Sequence, residues 1–146
     1  MYTDGSSLGN PGPGGCAVVL LHANKRKTIA EGYRFTTNNR MELMAVVIGL
    51  MAFKKDGQYI EVRSDSKYVV DAIQKGWLKT WLRNNFKQKK NEDLWRKYWH
   101  IAQKHRLHFC WIKGHASIKE NEVCDMLAKQ AAQAPSKIDE GYEAYF

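Results

Sequence analysis

A buried helix is predicted to begin in the stretch Thr36-Thr37-Asn38-Asn39-Arg40-Met41-Glu42-Leu43, directly after a strand-like segment. The residues at 41–53 are almost all apolar, and a run of that length indicates a buried helix. A carboxylate in the first turn of such a helix is unfavourable unless a partner compensates its charge. Glu42 occupies that place, so a compensating group is expected close to it.

Two further carboxylates, Asp4 and Asp65, are predicted at the ends of neighbouring strands. Residues 1–4 resemble the stub of a strand that ends on Asp4, and residues 60–65 alternate at period two and end on Asp65. The carboxyl end of a strand is where open α/β sheets place their sites. Three convergent acids without an obvious basic partner predict a bound divalent cation.

The overall composition limits the class of protein and the kind of partner. At 146 residues, with 44% hydrophobic and 26% charged residues, the chain fits one domain, 1–146, with a real core. Its net charge of +8 indicates a polyanionic partner, and nucleic acid is favoured over a membrane surface because no lipidation signal or membrane-length apolar stretch is visible. The three cysteines lack metal-ligand spacing, which favours reduced thiols in a cytoplasm.

The order of elements predicts an α/β fold. Strands are expected at 1–4, 16–21, 28–35, 60–65 and 107–112, and helices at 41–53, 66–76, 94–102 and 120–133. Residues 5–15 are expected to form a glycine-rich loop, and the tail at 135–146 to be loosely packed. The last helix is expected to bury Val123, Met126, Leu127 and Ala131. This order fits a mixed five-stranded sheet whose first three strands are antiparallel, with helices on both faces.

A basic and aromatic segment occupies residues 75–97, which hold eight of the 23 lysines and arginines. Trp77, Trp81 and Phe86 are interleaved with these charges. Such a segment can grip a phosphodiester backbone while its rings pack on sugars or bases. The alternative is a short helix whose rings pack on the core, and the i, i+4 spacing of the two tryptophans suits it. With the overall charge considered, we favour nucleic-acid binding.

Five motifs carry a resemblance to a known family. They are Thr3-Asp4-Gly5-Ser6, Thr37-Asn38-Asn39-Arg40-Met41-Glu42-Leu43, Ser64-Asp65-Ser66, Lys113-Gly114-His115 and Asn121-Glu122-x-Cys124-Asp125. In this order and at this spacing, the chain resembles bacterial ribonuclease HI, the type 1 ribonuclease H family, over essentially its whole length. The resemblance implies the ribonuclease H-like fold and a monomer.

The resemblance also implies a catalytic site built on metal ions. Its four acids would be Asp4, Glu42, Asp65 and Asp125, which together would hold two Mg²⁺ ions, with Mn²⁺ as a substitute. His115 matches the family histidine that aids proton movement or product release. A set of carboxylates alone suits Mg²⁺, which is hard, prefers oxygen ligands and retains waters.

The substrate implied by the resemblance is the RNA strand of an RNA–DNA hybrid, cut internally to leave 5′-phosphate and 3′-hydroxyl ends. The residues that match substrate-binding positions of the family are Asn10, Asn38 and Asn39 for the 2′-hydroxyls, Trp77 and Trp81 for the DNA strand, Thr37 and Asn91 for a DNA phosphate, and Lys87, Lys89 and Lys90 of the basic segment. Because phosphate contacts carry no base information, cleavage is expected to be largely independent of sequence.

Structural alternatives remain beside each of these roles. Asn39 and Glu42 also have the spacing of a capping box, Asp65 could merely precede a helix, and Asp125 could be a solvated helix acid. Two functional alternatives also remain: another nuclease or strand-transfer enzyme of the same fold, such as an integrase or resolvase, and a hybrid-binding module without catalysis.

Overall fold

The computed structural model of the protein describes residues 1–114 and 116–146, so His115 lies outside the described residues. Its strands are β1 (Tyr2–Ser7), β2 (Gly12–His22), β3 (Lys25–Thr36), β4 (Tyr59–Ser64) and β5 (Arg106–Trp111). They form a five-stranded sheet in the order β3-β2-β1-β4-β5. The first three strands are antiparallel, and β4 runs parallel to both β1 and β5. The predicted mixed sheet is confirmed.

Helices cover both faces of this sheet. They are α1 (Asn38–Met51), α2 (Lys67–Gln74), α3 (Trp77–Arg83), α4 (Glu92–Ala102), α5 (Lys119–Gln133) and α6 (Glu140–Glu143). Gly14 and Gly15 are consecutive residues of β2, so they face opposite sides of the sheet. A Cβ at Gly14 would meet the Met41 side chain of α1, whereas one at Gly15 would meet the carbonyl oxygen of Ala128 in α5. Helices α1 and α5 therefore lie on opposite faces.

The larger part of the core lies between the sheet and the helices α1, α2 and α4. Leu43 of α1, Val62 of β4 and Trp95 of α4 are buried together there with neighbouring apolar side chains. Burying each such side chain stabilises the fold by about 1.5–3 kcal/mol. This packing fixes the start of α1 and the end of β4, which carry two of the predicted site acids. Within the described residues, no helix has the length and apolar character needed to cross a membrane.

The first strand differs from the prediction. Residues 1–4 were expected to end a strand on Asp4, but β1 continues to Ser7 and Asp4 pairs with Ala17 in its interior. Gly5, Gly14 and Gly15 of the predicted loop lie within strands instead, at points where helices press closely on the sheet. A Cβ at Gly5 would overlap the backbone of Met41. Glycine in a strand interior often marks such a close backbone approach.

The buried face of α5 was also predicted wrongly. The helix buries Asn121, Cys124, Ala128 and Ala132 instead of Val123, Met126, Leu127 and Ala131. Met126 is 49% exposed. The reason is again close packing, because α5 approaches the glycines of β2 and β3 and only small side chains fit between the two backbones.

The C-terminal segment 135–146 was expected to pack loosely, and the structure corrects this for its middle part. Lys137 bridges to Tyr33 of β3, and α6 follows directly after. Asp139 is buried and forms an ion pair with Arg40 at 2.8 Å. This pairing is not evident from the sequence, because the two partners lie 99 positions apart.

Candidate active site

Three of the predicted acids meet at one end of the sheet. Strand β1 runs parallel to β4 with Thr3 opposite Ser64, so the next residues, Asp4 and Asp65, come side by side. Helix α1 crosses the same end and brings Glu42 beside them. Carboxylate oxygens of Asp4, Glu42 and Asp65 all lie within 4.8 Å of one another. The structure therefore gathers three acids from distant parts of the chain.

A hydrogen bond from β1 holds Glu42 in this cluster. The backbone N–H of Gly5 donates to Glu42 Oε1 at 2.5 Å and also lies 3.0 Å from Asp4 Oδ1. Only glycine allows this approach, because a Cβ at position 5 would overlap the backbone at Met41 and Glu42. The first turn of α1 is thus held directly against β1.

The structure does not support the capping role for Glu42. The N-cap of α1 is Thr37, whose side-chain oxygen accepts a hydrogen bond from the Arg40 N–H at 3.2 Å. The Glu42 carboxylate accepts from Gly5 instead, and the residue is 6% exposed. The alternative that pairs Asn39 with Glu42 in a capping box is therefore wrong.

Within the described part of the chain, the cluster has no ion-pair partner of positive charge. Burial raises the pKa of Asp4 to about 7, with the charge of Asp65 as the next cause. Burial also raises the pKa of Glu42 well above its ordinary value, and the nearby charge of Asp4 adds to this. Among residues 1–114 and 116–146, no basic side chain forms an ion pair with any of the three acids.

These observations fit a site for a divalent cation. Three convergent carboxylates supply only oxygen ligands, which is the donor set that Mg²⁺ prefers. The raised pKa values of Asp4 and Glu42 indicate that the folded protein alone does not stabilise their charged forms. A bound cation would supply the charge that is missing.

The fourth acid, Asp125, lies outside the group of three. It is on α5, where its carboxylate pairs with Lys129 of the same helix at 3.0 Å. Its charge nevertheless contributes to the raised pKa of Asp4, so the two acids lie within electrostatic reach. His115, which is predicted to aid proton movement or product release, is the one residue that lies outside the described part of the chain. The preceding Gly114 passes close to the cluster, since a Cβ on it would lie 3.2 Å from Asp65 Oδ2.

A groove near the first turn of α1, the helix that carries Glu42, contains most of the predicted binding residues of the basic segment. It has a volume of about 450 Å³ and is lined by Asn39, Tyr68, Trp77, Trp81, Lys89, Lys90 and Asn91. Trp77 is 44% exposed on α3. The ammonium groups of Lys75 and Lys89 lie over Trp77 and Trp81, at 5.3 and 5.6 Å from the ring centroids. We call this surface the Trp77–Trp81 groove.

Phe86 and Lys87 of the basic segment do not line this groove. Phe86 is buried and packs on Trp81 at a centroid distance of 6.3 Å, as the core alternative predicted for it. Lys87 is exposed and does not line the groove. Phe86 therefore belongs to the core, while Trp77, Lys89 and Lys90 contribute to an open surface.

Asn10 is connected to the start of α1. Its side-chain oxygen accepts a hydrogen bond from the Asn38 N–H at 3.1 Å. Thr37 caps the same helix, and the side chains of Asn38 and Asn39 are exposed beside it. The predicted residues for the 2′-hydroxyls therefore share one edge of the site.

The partners of Asn91 are not evident from the sequence. The Asn91 amide donates to the Tyr68 hydroxyl at 3.0 Å, and the indole N–H of Trp95 donates to the same oxygen at 2.8 Å. Arg40 also lies close, with one guanidinium nitrogen 3.4 Å from Asn91 Oδ1. The only available signal was the position of Tyr68 in the first turn of the helix that follows Asp65.

Known proteins are similar to this chain over most of its length. The family model described as RNase H matches residues 1–133. A relative named Ribonuclease H from Syntrophus aciditrophicus (strain SB) is 48% identical over 148 residues, which cover 97% of this chain and 85% of the relative.

Solved structures show the same similarity. One is a crystal structure of LC9-RNase H1, described as a type 1 RNase H with the type 2 active-site motif. Its TM-score is 0.81 at 30% identity, and the match covers 99% of this chain and 78% of the LC9-RNase H1 chain. A crystal structure of LC11-RNase H1 in complex with RNA/DNA hybrid has a TM-score of 0.69 at 26% identity. The match covers 90% of this chain and 94% of the LC11-RNase H1 chain. The chain belongs to the ribonuclease H family of metal-dependent endoribonucleases.

Proposed function

We propose that this protein hydrolyses the RNA strand of RNA–DNA hybrids at the cluster of Asp4, Glu42 and Asp65. The observation that carries the proposal is the convergence of these three acids within 4.8 Å, without a basic partner among the described residues. The Trp77–Trp81 groove, near the first turn of α1, offers lysines and aromatic rings to a nucleic acid. The family relation and the hybrid held by LC11-RNase H1 support the same substrate.

The metal would be Mg²⁺, with Mn²⁺ as a substitute, held by Asp4, Glu42 and Asp65 together with Asp125. Two such ions, when bound, would supply an activated water and stabilise the leaving 3′ oxygen, which leaves 5′-phosphate and 3′-hydroxyl ends. The protein's own contribution is positioning. Gly5 fixes Glu42 through its N–H, and the parallel pairing of β1 with β4 fixes Asp4 beside Asp65.

Selection of RNA would come from the edge of the site beside α1. The amide side chains of Asn10, Asn38 and Asn39 can donate to and accept from a 2′-hydroxyl, the group that separates RNA from DNA. Thr37 accepts from Arg40 and keeps its hydroxyl proton free to donate to a DNA phosphate, with Asn91 as the second contact. His115 would aid proton movement or product release.

The partner strand would lie in the Trp77–Trp81 groove. Lys89 and Lys90 line that groove, and Lys87 is exposed nearby on the same segment. These side chains would contact the nucleic-acid backbone and the faces of the bases, which carry little sequence information. Cleavage is therefore expected to be largely independent of sequence. We also infer that the enzyme is monomeric, forms a single domain and acts in the cytoplasm.

The test is a cleavage assay on four labelled substrates: RNA–DNA hybrid, double-stranded RNA, double-stranded DNA and single-stranded RNA, each with Mg²⁺ and with chelator. Only the hybrid with Mg²⁺ should be cut, and Asp4→Asn should abolish cleavage while hybrid binding survives. Asp56→Asn, on an exposed turn, is the matched control and should cleave like wild type. Wild-type turnover by Asp4→Asn would refute the assignment, and hybrid binding without cleavage by the wild type would favour a binding module.

A further inference from the structure

Lys67 and Trp111 form a basic and aromatic surface directly beside Asp65. Trp111 ends β5, is 43% exposed, and its indole N–H donates to the main-chain oxygen of Asp65 at 3.2 Å. Lys67 begins α2, and its ammonium lies 4.7 Å from the centroid of the Trp111 ring. We call this pair the Lys67–Trp111 lip.

Neither residue of the lip is placed where folding alone favours it. A lysine in the first turn of a helix faces the positive end of the helix dipole, which is unfavourable. Trp111 leaves almost half of its large apolar surface in water. Since exposed aromatic rings next to a cation are a common means of holding a nucleotide, the arrangement indicates a ligand.

The lip is distinct from the Trp77–Trp81 groove. Tyr68 lines that groove, whereas Lys67, the residue before it on α2, points to the end of β5 and lies over Trp111. The start of α2 therefore separates the two surfaces. Asp65, and with it the acid cluster, lies immediately before this helix. A duplex with one strand in the groove would have its other strand over the acids, and the lip is the next surface beyond Asp65.

We infer that the Lys67–Trp111 lip is a subsite for one nucleotide of the cleaved strand, next to the nucleotide whose phosphate lies at the acids. The ammonium of Lys67 binds a backbone phosphate, and the face of Trp111 packs against the attached sugar or base. The bond from Trp111 to the Asp65 backbone ties this subsite to the cluster. The inference rests on the proposed function and adds a contact on the cleaved strand.

The first experiment removes the charge and keeps a polar side chain. Lys67→Gln is compared with Lys104→Gln, which changes an exposed lysine just before β5 begins, at the other end of that strand from Trp111. Lys67→Gln should raise KM by about threefold to tenfold and reduce the salt slope of hybrid binding by about one, with kcat within about twofold. Lys104→Gln should match wild type. The subsite is refuted if the two variants have the same KM and salt slope.

A modified substrate then identifies the strand and the position. One methylphosphonate linkage, which is uncharged, is moved stepwise along the RNA strand on both sides of the main cleavage site. At one position the neutral linkage should raise KM for wild type but not further for Lys67→Gln. The same pattern found only with the linkage in the DNA strand would overturn the assignment to the cleaved strand.

The ring is tested separately with Trp111→Leu and Trp111→Phe. The phenylalanine keeps an aromatic face and should retain most of the affinity, whereas leucine should raise KM as Lys67→Gln does. Equal KM values for wild type and Trp111→Leu would overturn the role of the ring. These outcomes are separate from failure of the proposed function, which would show as absence of hybrid cleavage by the wild type itself.

Discussion

The carboxylate of Asp139 accepts two hydrogen bonds from the guanidinium of Arg40, at 2.8 and 2.9 Å. Both side chains are almost fully buried, and Arg40 also donates to both oxygens of Asp93 at 2.8 Å. The pair joins the C-terminal segment to the first turn of α1, two residues before Glu42. Thr36 adds a third hydrogen bond to Asp139 at 2.7 Å. The segment after α5 therefore supports the helix that carries a site acid.

Asp139→Ala should destabilise the protein by about 3–5 kcal/mol, because it leaves part of a buried guanidinium without its partner. Urea unfolding measures the loss. Glu143→Gln is the matched control, since it removes only an ion pair with the exposed Arg34 and should change stability by less than about 1 kcal/mol. If Asp139→Ala changed stability no more than this control, the C-terminal segment would not support α1.

Gly5→Ala should destabilise the protein by about 1–3 kcal/mol and reduce cleavage more than the loss of stability explains. The added Cβ overlaps the backbone of Met41 and forces β1 away from α1, which displaces Glu42. Unfolding curves and the Mg²⁺ dependence of cleavage are measured on the same preparations. Unaltered Mg²⁺ dependence would contradict the role of Gly5 in holding the cluster.

Without metal, the stability of the protein should fall as the pH rises from about 4 to 8. The pKa values of Asp4 and Glu42 are raised in the folded state, so folding favours their protonated forms. This stabilisation is complete below the unfolded pKa values and is lost as the pH passes through the raised ones, near 7 for Asp4.

Asp4→Asn removes one of these charges and should stabilise the metal-free protein at pH 8 by on the order of 1–3 kcal/mol, with a smaller gain at pH 4. Thermal or urea unfolding in chelator at both pH values is the measurement. Asp56→Asn, on the exposed turn, should show no such difference. An equal effect of Asp4→Asn at the two pH values would mean that the cluster is not under electrostatic strain.

The lysines of the basic segment should contribute unequally to hybrid binding, according to whether they line the groove. Lys89 and Lys90 line the Trp77–Trp81 groove, whereas Lys87 does not. Changing Lys89 and Lys90 together to Ala should raise KM and reduce the salt slope of hybrid binding by about two, since two phosphate contacts are lost. Lys87→Ala serves as the comparison and should have the smaller effect. A salt slope equal to that of wild type in the double variant would place both ammonium groups in solvent.

Much of the fold and the cluster of three acids could be predicted because the signals are local. Hydrophobic periodicity located the strands and helices to within a few residues, and the motif around Glu42 marked the start of α1. The position of Asp4 inside a strand was missed, since the glycines beside it suggest a loop when the helix pressing on them is unknown. The buried face of α5 was missed for the same reason.

The contacts that could not be predicted join distant segments. The sequence gives no indication that Asp139 pairs with Arg40, because a buried ion pair leaves no periodic pattern. The partners of Asn91, and the approach of Trp111 to the Asp65 backbone, likewise depend on how α2, α4 and β5 pack together. These relations follow from tertiary packing alone.

The most direct test is the anomalous diffraction of crystals soaked in Mn²⁺, a heavier substitute for Mg²⁺. We predict one anomalous peak from an ion bound by Asp4, Glu42 and Asp65. When a hybrid is bound, we predict a second peak beside Asp125. Protein that cleaves hybrids but shows no peak among Asp4, Glu42 and Asp65 at saturating Mn²⁺ would contradict the proposed metal site.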